Sequence, residues 1–81
     1  MATLTLLGKP GCHLCAEALA VVERVRAGRD LALEQVDVSL DPLLDRRYGE
    51  RIPVLALDGE ELFELFVDEG ALAERLDRVD P

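Results

Sequence analysis

Cys12-His13-Leu14-Cys15 places two thiols three positions apart, where an apolar run (residues 4–7) gives way to a helix-forming stretch (residues 16–27). Sulfurs at that spacing can close on each other reversibly. Unpaired N–H groups and the helix dipole at the mouth of a helix favour the thiolate over the thiol. This is the chemistry of dithiol–disulfide exchange. Cys12 stands nearer the helix start, is expected to be exposed and is the candidate nucleophile. Cys15, one turn further on and expected to be more buried, would resolve a mixed disulfide by attacking Cys12. The blander readings are an inert pair and, for Cys15, a small buried apolar residue. His13 could favour the thiolate by a positive charge or an N–H donor. The same helix end disfavours a cation, so an exposed, largely neutral spacer is the other reading.

The elements that must position these residues follow from turn chemistry and periodicity. Residues 3–7 read as a short buried strand, broken by Gly8-Lys9-Pro10-Gly11. Leu14, Ala18, Val21, Val22 and Val25 then recur at helical spacing, with Glu17, Glu23, Arg24 and Arg26 on the other side and Gly28 to end the helix. A second strand is expected over residues 31–38. Its apolar parity changes between Leu33 and Val36, which predicts a bulge or a strand start near Glu34. The helical crossover makes strands one and two parallel. Asp41 as N-cap and Pro42 at the first helical position open a second helix that Gly49 closes. Residues 54–57 and 62–67 flank Asp58-Gly59, a dipeptide suited to a two-residue turn, and are expected to pair antiparallel. Asp68 caps a last helix in which Leu72, Leu76 and Val79 follow the i, i+4, i+7 rule. The order is βαβαββα.

Composition narrows the function. Residues 1–81 are expected to form one domain, with a core of marginal stability. No stretch approaches the roughly 20 apolar residues of a membrane span, and Met1-Ala2-Thr3 lacks the basic start of a signal peptide, so a cytoplasmic location is expected; a monomer is the expected state. The net charge of −8 argues against nucleic acid or an anionic membrane as partner. Nine acidic and two basic residues fall between positions 58 and 81, so the last strand and helix carry most of this charge. Lys9, Arg46, Arg47 and Arg51 belong to segments expected nearer the thiols. Both cysteines of the chain lie in the one motif, and closing so short a ring stabilises by only about 2 kcal/mol. A structural staple is therefore the weaker explanation of the pair.

With these elements in place, the chain resembles the thioredoxin fold in its small glutaredoxin-like form. The resemblance is carried by residues 6–15, Leu6-Leu7-Gly8-Lys9-Pro10-Gly11-Cys12-His13-Leu14-Cys15, by Val36-Asp37-Val38, by residues 47–55 around Ile52-Pro53, and by the Asp58-Gly59 turn. It implies an α/β domain with a four-stranded mixed sheet and helices on both faces. It also implies that Pro53 is a cis-proline beside the thiols, leaving the Ile52 backbone free to pair with an extended substrate; without the resemblance, a trans proline at a strand start is the reading. Lys9 matches a position that often holds an anionic group of a thiol substrate, and a solvated loop lysine is its alternative. Tyr48 and Arg51 are weaker candidates for the rim. Two stretches depart from glutathione-using relatives: Arg51-Ile52-Pro53 stands in place of Thr-Val-Pro, and residues 65–69 lack a Gly-Gly pair.

The leading expectation is a glutaredoxin-like thiol-disulfide oxidoreductase acting on protein or small-molecule disulfides. It would need no bound cofactor, and electrons would come from glutathione or a thioredoxin-reductase-type donor. One alternative is an iron–sulfur or zinc module assembled by a dimer through the same cysteines, because one chain offers too few ligands for a closed site. Another is a redox-inactive interaction domain that docks through its acidic end.

Overall fold

The first strand, β1 (Ala2–Gly8), buries Leu4 and Leu6 on one face of a sheet and Leu7 on the other. The computed structural model describes residues 2–79, with only the backbone at Val79; the expected core position of the Val79 side chain lies outside the described residues. Helix α1 (His13–Arg26) returns the chain to β2 (Leu31–Asp37), which pairs parallel to β1. A 3-10 turn (Val38–Leu40) leads into α2 (Pro42–Tyr48), followed by β3 (Val54–Leu57), β4 (Glu60–Glu64) and α3 (Glu69–Val79). The sheet order is β2-β1-β3-β4, with β3 antiparallel to both its neighbours. This is the expected four-stranded mixed sheet.

Two apolar layers account for the architecture. On one face Ala18, Val22 and Val25 of α1 and Leu72 and Leu76 of α3 pack on Leu4, Leu6, Leu55 and Leu57. On the other, Leu44 and Tyr48 of α2 pack with Leu7, Val38, Ile52 and Val54. Leu4, Leu55, Leu72 and Leu76 are wholly buried, each contributing about 2 kcal/mol of apolar transfer. Coverage of both faces explains the parity change in β2. Leu33 packs toward α1 and Val36 toward the second layer, in an unbroken register from Ala2↔Leu31 to Gly8↔Asp37. The bulge expected there is absent and the strand starts at Leu31, because an apolar layer lies on each face of the sheet and receives one of the two residues, so strict alternation is not needed.

The irregularity lies instead between β3 and β4, beside Leu55 and Ala56. An extra residue there turns both Leu62 and Phe63 to the α1/α3 side. The fourth strand also ends earlier than expected. Leu65 adopts φ +69° and leaves the sheet, so Val67 is buried from the loop that leads to α3 rather than from a strand.

Local signals set the other boundaries. Asp58 (φ +49°) and Gly59 (φ +90°) form the two-residue turn between β3 and β4, the left-handed pair that matches strand twist. The Asp58 carboxylate accepts from Thr3 N–H at 2.9 Å and ties that turn to β1. The Asp41 carboxylate caps α2 by accepting from Leu43 N–H, and that of Asp68 caps α3 by accepting from Ala71 N–H. Gly28, at φ +79°, follows the end of α1.

Candidate active site

Gly11, at φ +77°, completes the turn that swings the chain from β1 into α1 and brings Cys12 to the N-cap of that helix. Cys12 has extended backbone angles. Its carbonyl accepts from Ala16 N–H at 3.1 Å, and its Sγ accepts from Cys15 N–H at 3.2 Å. The two sulfurs are joined in a disulfide, with 5.2 Å between the Cα atoms. No acidic side chain lies in the first turn of α1 to oppose a negative sulfur. The contrast in exposure expected between the cysteines does not appear: both are half-buried against the layer of Leu7, Val38, Ile52 and Val54. What distinguishes Cys12 is its cap position and the amide directed at its sulfur.

Gly8 is a positioning residue that sequence reasoning missed. A Cβ built there would stand 2.9 Å from Cys15 Sγ and 3.2 Å from Cys15 Cβ, so only the absence of a side chain lets the end of β1 pass beneath the dithiol. Nothing in the sequence separates this glycine from an ordinary turn residue.

The Ile52–Pro53 peptide bond is cis. Both residues are buried, and Ile52 belongs to the layer that holds Cys12 and Cys15, just ahead of the start of β3 at Val54. Tyr48 joins the same layer, with the guanidinium groups of Arg47 and Arg51 each 5.3 Å from its ring centroid. Arg51 is committed elsewhere as well. It pairs with Glu61 and, at 3.2 Å, with Glu64, and hydrogen bonds to those carboxylates raise its pKa. As a rim cation it is therefore neutralised by β4. His13 is exposed, with Nε2 3.8 Å from the Glu17 carboxylate. Lys9 is exposed on the turn and lines a cleft of about 380 Å³ that also borders Pro10, Cys12, Cys15, Gln35 and Asp37. Among the described residues no group of three or more His, Cys, Asp or Glu side chains is arranged to hold a metal ion.

A helical layer on each face of a β2-β1-β3-β4 sheet, with a dithiol where its first strand meets its first helix, defines a thioredoxin-fold protein. Solved structures agree. Target protein XcR50 from X. campestris is 36% identical, with a TM-score of 0.76 over 93% of this chain and 96% of that one. Protein Ne2328 from Nitrosomonas europaea is 29% identical, with a TM-score of 0.76 over 91% and 89%. A mutant thioredoxin from Halobacterium salinarum is 29% identical, with a TM-score of 0.72 over 99% of this chain and 75% of that one. Residues 3–77 match the family described as Glutaredoxin-like domain (DUF836), and the chain belongs to that family. No curated protein matches it in sequence.

Proposed function

We propose that this protein is a thiol-disulfide oxidoreductase in which Cys12 attacks and Cys15 resolves. The observation that carries the reading is the Cys12 sulfur at the start of α1, accepting an amide hydrogen while within bonding reach of Cys15. In the reduced protein, that amide and the helix dipole favour the Cys12 thiolate. The thiolate attacks one sulfur of a substrate disulfide. A Cys12–substrate disulfide forms, and the other substrate sulfur leaves as a thiolate that takes a proton from solvent. Cys15, giving up its proton, then attacks Cys12 Sγ, closes the Cys12–Cys15 bond and expels the second substrate thiolate, which is protonated in turn. Two electrons pass from the dithiol to the substrate. A dithiol donor of the thioredoxin-reductase type, or two molecules of glutathione, returns them by the reverse exchange.

The other residues have supporting parts in this reading. Ile52, ahead of Pro53, offers its backbone to an extended substrate. Lys9 offers a positive charge to an anionic one, and His13 is a solvent-facing spacer that tunes the thiolate modestly. The chain works as a cytoplasmic monomer without a bound cofactor, acting on protein or small-molecule disulfides and not on nucleic acid or membranes. The net charge of −8 supports the last point, and no helix among the described residues is long and apolar enough to cross a membrane.

The test is alkylation rate against pH for the reduced wild type and for Cys15→Ser, followed by mass spectrometry after addition of a disulfide. Cys12 is expected to react at a pH below that of an ordinary thiol, and Cys15→Ser is expected to accumulate a stable Cys12 mixed disulfide. Two thiols of equal, ordinary reactivity and no trapped adduct would overturn the reading.

A further inference from the structure

The two edges of the sheet are finished differently. At one edge β4 runs for five residues, its register with β3 shifts beside Leu55 and Ala56, and Glu60, Glu61 and Glu64 are engaged by Arg75 and Arg51. A short, irregular edge with its charges already paired resists further pairing. At the other edge β2 offers seven residues in unbroken register, with β1 as the one strand beside them.

The direction of the backbone groups on β2 follows from its first residue. Leu31 donates its N–H to the Arg29 carbonyl and accepts at its own carbonyl from Arg26 Nη1, both at 3.0 Å, so it faces away from β1. The partner strand agrees. Thr3, opposite Ala32, bonds Asp58 through both its N–H and its carbonyl, on the side of β1 away from β2. Backbone groups of successive residues point to opposite sides of a strand, so Leu33 and Gln35 face outward with Leu31. Leu31 is covered by Arg26 and Arg29, whereas the N–H and C=O groups of Leu33 and Gln35 line an edge with no strand to receive them.

The side chains beside these groups are acidic. Glu34 is exposed and Asp37 ends the strand, and among the described residues neither carboxylate enters an ion pair, although Asp37 accepts from Ser39. Arg26 and Arg29, the cations near the start of β2, are engaged by Glu23 and Asp77. On a chain of net charge −8, such an edge repels a second copy of itself and favours a cationic strand. Its far end leads to the dithiol. Gln35 and Asp37 line the cleft of about 380 Å³ that borders Cys12 and Cys15, with Lys9 as the cation there; Ile52 and Pro53 do not line it.

We propose that β2 is the docking edge for an extended, Lys- or Arg-rich segment of a partner protein, which adds to the sheet as a fifth strand. Leu33 and Gln35 bond its backbone, and Glu34 and Asp37 hold its cations. Main-chain bonds supply the affinity and the acids select the partner. This docking stands independently of the oxidoreductase reading.

The experiment uses the isotope-labelled full chain in its oxidised form and three peptides without cysteine. The first alternates Thr with Lys, the second has Glu for each Lys, and the third is the first with alternate amides N-methylated so that one edge cannot donate. Binding is followed by chemical shifts and by amide hydrogen exchange. With the Lys peptide at ten times its Kd, exchange at Leu33 and Gln35 is expected to slow about tenfold, while the amides of β4 are unchanged. The N-methylated peptide, lacking main-chain bonds, and the Glu peptide, lacking charge pairs, are each expected to bind about tenfold more weakly. In Glu34→Lys, an exposed substitution, the Lys peptide is expected to weaken and the Glu peptide to tighten. No binding of the Lys peptide, equal binding of the three, or protection that leaves out Leu33 and Gln35 would overturn the proposal. Protection of those two amides that grows with protein concentration in the absence of peptide would assign the edge to a second copy and overturn it as well.

Discussion

At the scale of single residues, glycines with opposite demands set the geometry around the thiols. Gly11 lies in left-handed backbone with open space where a Cβ would be, so its role is conformational. Gly8 lies in an ordinary strand and its role is steric, since a methyl group there meets Cys15 Sγ at 2.9 Å. Gly8→Ala is therefore expected to destabilise the oxidised protein by about 1–3 kcal/mol, the usual cost of overpacking a filled site, measured by urea denaturation. It is also expected to slow closure of the Cys12–Cys15 bond, because Cys15 must shift away from β1. An unchanged urea midpoint would show that α1 moves aside freely.

Among the elements, the β3–β4 hairpin is the support on which the loop beside the site depends. Its turn needs two left-handed residues, Asp58 and Gly59, and the Asp58 carboxylate fastens it to Thr3 of β1. A Cβ at Gly59 would meet nothing within 4 Å, so Gly59→Ala carries a backbone penalty alone, roughly 1–2 kcal/mol. For a domain of this size that corresponds to a fall in Tm of about 4–16 °C. Thermal unfolding checks it, and a D-alanine at position 59 in a synthetic chain is expected to restore the wild-type Tm.

For the molecule as a whole, α1 is clamped to α3 by Arg24–Glu69 at 2.9 Å, and the loop that follows α1 is clamped to α3 by Arg29–Asp77 at 2.8 Å. The hydrogen bond from Arg24, with its charge behind it, holds the Glu69 carboxyl below its ordinary value and raises the Arg24 guanidinium in return. A depressed folded value means that the stabilisation is fully present above the unfolded glutamate value and is lost as the pH falls through the lower folded one. The difference in Tm between wild type and Arg24→Gln is therefore expected at neutral pH and to vanish on acidification through that window. It should also be small and shrink with salt, because the pair is open to solvent. A difference that persists in acid would mean that Arg24 stabilises by packing its stem and not by its charge.

The parts of this protein readable from sequence are those decided within a few residues of chain. Gly8-Lys9-Pro10-Gly11, Asp41-Pro42, Asp58-Gly59 and Asp68 each act through backbone angles or a cap they supply themselves, and so the element order and the dithiol at a helix start were legible. Leu65, by contrast, reads locally as one more strand residue. Only the carbonyls of Pro53 and Arg51, brought to it by β3–β4 pairing, turn it out of the sheet. Arg51 reads as a free cation until β4 delivers Glu61 and Glu64, and Gly8 reads as a turn residue until α1 lies across it. The chemistry of Cys12 and Cys15 was thus written in adjacent residues, whereas their surroundings depended on contacts between residues far apart in the chain, which tertiary packing alone brings together.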